Sequence, residues 1–406
     1  MEEKKSNLRW LYIGLLFFMN AIGFSSINCI PPLFLEISGQ IAMTKAQLGT
    51  LMGVILISSF VFAPLGGGLS DKLGSRFAAG TAVIIAGLGG FMRGYMDSFT
   101  GLIICNIIIG SGIAFFAPNM PKVVGTWFAS KELALANGLC TAGMGVGGAL
   151  AMAISTSILS PAFGGWRGAV QAIGGTVMVL GLAWIVLYRD QKIEGAAKKP
   201  KQSMAKNFKK VLKVRDLNLL LIYRGFNMIG FFALITFLPS ALQERGMANG
   251  GQLVSIMMGL SVLFNVIGSG ISDRVGLRKP FLTITTFVFG ICIMAFSTLS
   301  GIPLIISLII AGASMGTLAP IVFILPVEFK EIGPGLAATA VGLMLMVGNT
   351  LGFVGPIIAG KLIDMSGSNF AGFVFMSAAC IIAGLFILPI RETGTRGKKA
   401  EPPTDA

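Results

Sequence analysis

The sequence predicts an all-α membrane protein with twelve transmembrane helices arranged as two six-helix pseudo-repeats. Three observations lead there. Of the 406 residues 54% are hydrophobic and only 12% charged, and the mean hydropathy of +0.83 does not describe a soluble domain of this size. Apolar runs recur with the length of membrane helices, since crossing a hydrocarbon core of about 30 Å takes roughly 20 residues. The fragment GGLSDKLGSR at 67–76 returns as SGISDRVGLR at 269–278, 202 positions later and half the chain away.

The runs fall near 10–34, 46–70, 77–96, 98–126, 132–159, 165–188, 217–243, 250–272, 280–299, 302–327, 333–363 and 369–390. A transmembrane barrel would show strands of about ten alternating residues, and continuous runs such as Ile302–Ile324 lack that period. The first run, Trp10 to Leu35, is too long for the core of a signal peptide and reads as a retained helix.

The net charge of +14 is placed on one side. With a cytoplasmic amino terminus, Lys72, Arg76, Lys131, Arg274, Arg278, Lys279, Arg391 and Lys398 share the inner face, whereas the opposite loops carry only Lys45, Arg93, Arg167, Arg245 and Lys361. Both termini are then expected in the cytoplasm of a cell-membrane protein. Nucleic acid is not an expected partner, because the longest non-apolar stretch, 189–216, is too short for a folded basic domain. The expected organisation is a first bundle over 1–188, a basic linker over 189–214 and a second bundle with a short tail over 215–406. Phe208, Val211 and Leu212 among the linker lysines suggest an amphipathic helix on the anionic leaflet, with a solvated loop as the alternative.

The duplication reaches beyond the charged turns. Asn20-Ala-Ile-Gly-Phe24 reappears as Asn227-Met-Ile-Gly-Phe231, and Pro32 maps onto Pro239, both at an offset of 207. Gly110 and Pro118 map onto Gly312 and Pro320 at 202, which sets helices 1, 4, 7 and 10 in register. Glycines at 143, 145, 147 and 148, and at 348, 352, 355 and 360, give small-residue faces for close helix crossing.

Together, Gly67-x-Leu69-Ser70-Asp71-Lys72-x-Gly74-x-Arg76, its looser copy ending Asp273-Arg274-x-Gly276-x-Arg278, the twelve runs and the basic middle loop resemble the major facilitator superfamily across the whole chain. The resemblance implies a secondary transporter working by alternating access. It also implies that Asp71, Lys72, Arg76, Asp273, Arg274 and Arg278 act as gating latches, made in one state and broken in the other. A topology-fixing turn is the plainer reading of the same residues. The run Pro118-Asn-Met-Pro-Lys-Val-Val-Gly-Thr-Trp127-Phe128 loosely resembles the helix 4–5 region of the family's anion and monocarboxylate carriers.

The resemblance further implies a cavity lined by helices 1, 4, 7 and 10. The substrate candidates there are Arg224, Asn227, Lys122, Asn119, Asn20 and Asn28, of which only Arg224 and Lys122 are charged. Arg224 lies eight residues past Asp216, about 12 Å of helix rise, where a guanidinium is costly unless it meets water, a partner or an anion. Arg93 and Arg167 read as interfacial. All seventeen carboxylates lie in loops or at helix ends, with Glu36 and Glu328 nearest to a proton-carrying position. Where the family often has an arginine, four residues before a helix-4 glycine, this chain has Asn106 before Gly110. Positive charge without a buried carboxylate favours a small anionic cargo.

Five cysteines lack metal or disulfide spacing and histidine is absent, so no metal site or cofactor is expected. No nucleophile–base–oxyanion arrangement or phosphate loop points to an enzyme. The expected partners are a small, anionic solute and the lipid bilayer, with the chain a monomer. Two readings compete: efflux of an amphipathic compound, favoured by Met228, Phe231 and Phe232, and a receptor or scaffold that keeps the fold without transport.

Overall fold

The computed structural model describes residues 2–129, 132–190 and 204–395. Lys131, linker residues 191–203 and the tail past 395 lie outside the described residues, as do the side chains of Asp71, Lys72 and Lys206. Twelve helices have the length and apolarity to span a membrane: α1 (Leu8–Gln40), α2 (Lys45–Gly66), α3 (Leu73–Tyr95), α4 (Phe99–Trp127), α5 (Leu135–Ala162), α6 (Trp166–Leu187), α7 (Arg215–Glu244), α8 (Gly250–Val275), α9 (Lys279–Phe296), α10 (Gly301–Glu328), α11 (Leu336–Ser366) and α12 (Asn369–Ile387). No strand occurs among the described residues. In hydrocarbon a helix satisfies its own backbone, which is why apolar runs of this length fold this way.

Two compact units form, Met1–Ala197 with Thr236–Met258, and Lys198–Ile235 with Gly259–Ala406. In the first, α1 packs on α5 and α6, and the α2–α3 pair packs on α4 and α6. Residues 236–258 belong to this unit through local contacts: Gln243 donates to the Pro32 carbonyl at 3.1 Å, and Lys45 pairs with Glu244. In the second unit α9 packs on α10 and α12, and α11 on α12.

Prolines set the helix breaks. α1 is interrupted at Cys29, because Pro31 and Pro32 lack the N–H groups that continue a helix yet suit the first turn of a new one. The second segment, Ile30–Gln40, carries α1 beyond the end expected from hydropathy. Close crossings rest on glycine: a Cβ at Gly147 would overlap the Ala21 backbone, and one at Gly355 would lie 2.7 Å from Ile229 Cα.

The two charged turns share one construction. Gly74, between α2 and α3, has φ 74° and ψ 163°, a region essentially closed to other residues, and Gly276 has φ 73°. Asp190, just past α6, then caps the start of α3, accepting from Ser75 N at 3.0 Å and Arg76 N at 3.2 Å. Glu392, past α12, caps α9 in the same way, from Arg278 N at 2.7 Å and Lys279 N at 3.0 Å. A carboxylate here meets both free N–H groups and the positive helix end. Trp184 and Tyr188 stack at 4.3 Å beside this turn, Trp184 Nε1 donating to the Ser75 carbonyl at 3.2 Å.

Arg93, which reads as interfacial from its place in the sequence, is covered by neighbouring helices. It is 1% exposed, and Asp97, the carboxylate near it in sequence, pairs instead with Arg167 at 2.7 Å. Arg93 Nε donates to Asn106 Oδ1 at 2.7 Å and Nη1 to the Ser26 carbonyl at 2.5 Å, while Asn106 Nδ2 donates to the Leu51 carbonyl at 2.5 Å. One guanidinium thereby joins α1, next to its break, to α2, α3 and α4. The linker also departs from the leaflet reading. Phe208 and Val211 of the short helix Met204–Val211 pack into the second unit's core, and only Leu212 of the apolar trio is exposed.

Two outcomes follow for the solubilised protein. Gly74→Ala, strained and facing the Asp190 carboxylate, lowers stability by roughly 2 kcal/mol, and Asp190→Ala by about 1 kcal/mol, in thermal unfolding. Arg93→Met and Asn106→Ala each destabilise, and the double variant loses about 1 kcal/mol less than their sum, because each single change strands the other's partner.

Candidate functional site

In the first third of α7 the fold holds a guanidinium whose Nε has no acceptor among the described residues. Arg224 lies nine residues into Arg215–Glu244, about 13 Å of rise. Its guanidinium carbon sits 5.1 Å from the centre of the Phe323 ring of α10, and its Nε is buried without a hydrogen-bond partner among the described residues. A ring face offers a cation modest attraction but no lone pair for its N–H groups. Gly348 of α11 makes the room, since a Cβ there would stand 3.2 Å from Arg224 Nε. Asn227, one turn on and 4% exposed, has a side-chain Nδ2 that is likewise unpartnered among the described residues. Two donors on neighbouring positions of one helix thus lack acceptors, an arrangement suited to an anion bearing two oxygens.

The remaining candidates are held by protein groups. Asn119 is fully buried, donating to the Phe115 carbonyl at 2.8 Å and accepting from Ser70 Oγ at 2.8 Å. Lys122, at an exposed position, donates from Nζ to the Ser70 carbonyl at 3.0 Å. Both side chains therefore bind Ser70, the residue just before Asp71. Asn20 donates to the Leu16 carbonyl at 2.9 Å and Asn28 to the Phe24 carbonyl at 2.9 Å, bonds each makes within its own helix. Asn20 also borders an apolar cavity of about 160 Å³ within the first unit, with Met19, Phe24, Phe116, Met120 and Met144.

In the second charged turn Arg278 is the hub. It reaches Asp273 at 2.5 Å, Glu328 at 3.3 Å and Ser272 Oγ at 3.2 Å, and Thr393 donates to Glu328 Oε2 at 2.5 Å. Burial works against the charge on Arg278, yet Asp273 and Glu328 together raise its pKa above the ordinary arginine value. Arg274 is exposed. In the first turn Arg76 Nε donates to the Ile185 carbonyl at 2.6 Å, and the position matching Glu328 is Thr126, which bonds back to the Lys122 carbonyl. Neither proton-carrier candidate stands free: Glu328 is tied to Arg278, and Glu36 accepts from Ser160 Oγ at 2.6 Å.

Sequence reasoning missed Asp190 and Glu392, although Arg189-Asp190 and Arg391-Glu392 repeat at the same offset of 202. It also missed Arg93, whose signal was Asn106: a lone amide in an apolar run needs a partner. Among the described residues no group of three or more metal-ligating side chains comes together.

Comparison with known proteins places this architecture. The family model described as Major Facilitator Superfamily matches residues 13–352 and 251–405. An uncharacterised transporter of Bacillus subtilis, YycB, is 26% identical over 94% of both chains. The hexuronate transporter of Bacillus subtilis is 22% identical over 93% of each, and monocarboxylate transporter 2 of Mesocricetus auratus 23% identical over 93% of this chain and 83% of its own. Among solved structures, a mutant form of the nucleoside transporter NupG superposes with a TM-score of 0.77 at 17% identity, covering 94% of this chain and 99% of that one. The chain belongs to the Major Facilitator Superfamily and is a multi-pass membrane transporter.

Proposed function

We propose that this transporter carries a small organic or inorganic anion, of monocarboxylate size, by alternating access. In this reading it is a monomer in the cell membrane with both termini cytoplasmic. The observation that carries the proposal is the buried, acceptor-free pair Arg224 Nε and Asn227 Nδ2. A guanidinium at membrane depth is retained at a cost of several kcal/mol, and an anion that arrives and leaves offsets that cost only transiently. Relatives named for hexuronate and monocarboxylate fit the same chemistry. With Glu328 and Glu36 both engaged, the cargo moves alone, by exchange, or with a proton of its own. Asp71, Lys72 and Arg76 form the latch of the first turn, and Asp273, Arg274 and Arg278 that of the second. The apolar, methionine-rich cavity beside Asn20 supports a second reading, export of an amphipathic compound.

Reconstituted protein takes up labelled small carboxylates or nitrate in preference to neutral solutes, and Arg224→Ala lowers that uptake at least tenfold, the worth of a charge-assisted hydrogen bond. Anion uptake in Arg224→Ala at unchanged affinity contradicts the site, and outward dye transport without carboxylate flux supports the second reading. Asp71→Asn shifts the resting population toward inward-open, read as greater labelling of cysteine probes on the cytoplasmic side. Glu328→Gln lowers thermal stability through loss of its Arg278 pairing but leaves the pH profile of uptake as in the parent, whereas an altered profile restores Glu328 as a proton carrier.

A further inference from the structure

A positively charged recess lies where the linker enters α7. It has a volume of about 350 Å³ and is bounded by Lys210, Lys213, Arg215, Asp216, Glu331 and Arg391. Four basic side chains therefore face two carboxylates, an excess of two positive charges. Arg391 takes both acids, meeting Asp216 at 3.8 Å and Glu331 at 3.4 Å. The side chains of Lys210, Lys213 and Arg215 are exposed at the rim and pair with no carboxylate among the described residues.

These cations are not on a free loop. Val211 is fully buried in the second unit's core, Lys213 N bonds the Lys210 carbonyl at 3.2 Å, and Asn218 Nδ2 bonds the Leu212 carbonyl at 2.8 Å. Like charges are thus brought together on a folded turn, where mutual repulsion favours a neutralising anion. The recess stands at the first turn of α7, nine residues before Arg224, so it is separate from the proposed transport site. It is also roomier than a single inorganic ion requires, and basic recesses beside membrane helices suit anionic headgroups.

We propose that this recess binds a phosphate-bearing group of net negative charge, with Lys210, Lys213 and Arg215 supplying the attraction. An anionic phospholipid headgroup or a free phosphate would present the same oxygens. Either would fasten the linker turn to the ends of α10 and α12.

Native mass spectrometry of the delipidated full chain tests this with phosphatidylglycerol, phosphatidylcholine and inorganic phosphate. The parent is expected to retain phosphatidylglycerol over phosphatidylcholine, and the double variant Lys210→Gln/Lys213→Gln to retain it roughly tenfold less. Phosphatidylglycerol retention that withstands excess inorganic phosphate assigns a lipid, and its displacement assigns free phosphate. Equal retention of the two lipids by the parent together with no phosphate adduct overturns the proposal, and so does undiminished phosphatidylglycerol retention in the double variant. Arg215→Gln, at another exposed position, gives the same readout should the double variant fail to fold.

Discussion

A polar group placed in hydrocarbon must find its partner inside the protein, and this single constraint accounts for most of the architecture. Backbone groups answer it by forming helices, and the serines, threonines and asparagines answer it largely by bonding carbonyls one turn back, as Asn20, Asn28 and Ser25 do. Two arginines, Arg93 buried and Arg224 half-buried, answer it differently. Arg93 is met at Nε and Nη1 by an amide and a carbonyl from two other helices and so becomes a clamp, with Nη2 left unpartnered among the described residues. Arg224 has an aromatic face and an open donor. What sets Arg224 apart is that no protein acceptor meets its Nε among the described residues and that its guanidinium lies against the Phe323 ring, where Arg93 has two oxygen acceptors.

The duplication is preserved where the backbone demands it and relaxed where only side chains are involved. Gly74 and Gly276 share a positive φ, and Asp190 and Glu392 cap the equivalent helix starts, because a helix end at a tight turn has few ways of satisfying its N–H groups. The carboxylate supplied by the end of α10 is not copied in α4. Glu328 anchors Arg278 in the second unit, whereas Thr126 stands at the matching place in the first.

Much of this was legible in the sequence. Hydropathy, the 202-residue offset and one-sided charge specify the number of spans, their pairing and the resemblance to the family. The depth of Arg224 was legible too, since distance from a helix end converts directly to rise. What sequence position does not report is which side of a helix end is covered. Arg93 lies four residues from Asp97, yet neighbouring helices bury it and Asp97 turns to Arg167. Asn106 occupies the place where the family often carries an arginine, and here a guanidinium reaches that place from α3. Likewise the linker's Phe208 and Val211 read as a lipid-facing pair because apolarity alone cannot distinguish a bilayer from a protein core.

In the proposed transport site the acceptor that Arg224 lacks within the fold is supplied by the cargo. Anomalous diffraction from crystals of the full chain soaked with a bromine-labelled short carboxylate locates that acceptor directly. A bromine peak is expected whose carboxylate lies within about 4 Å of the Arg224 guanidinium, on the side shared with Asn227. A carboxylate bound elsewhere while the guanidinium stays against Phe323, or a guanidinium directed among lipid tails, contradicts it.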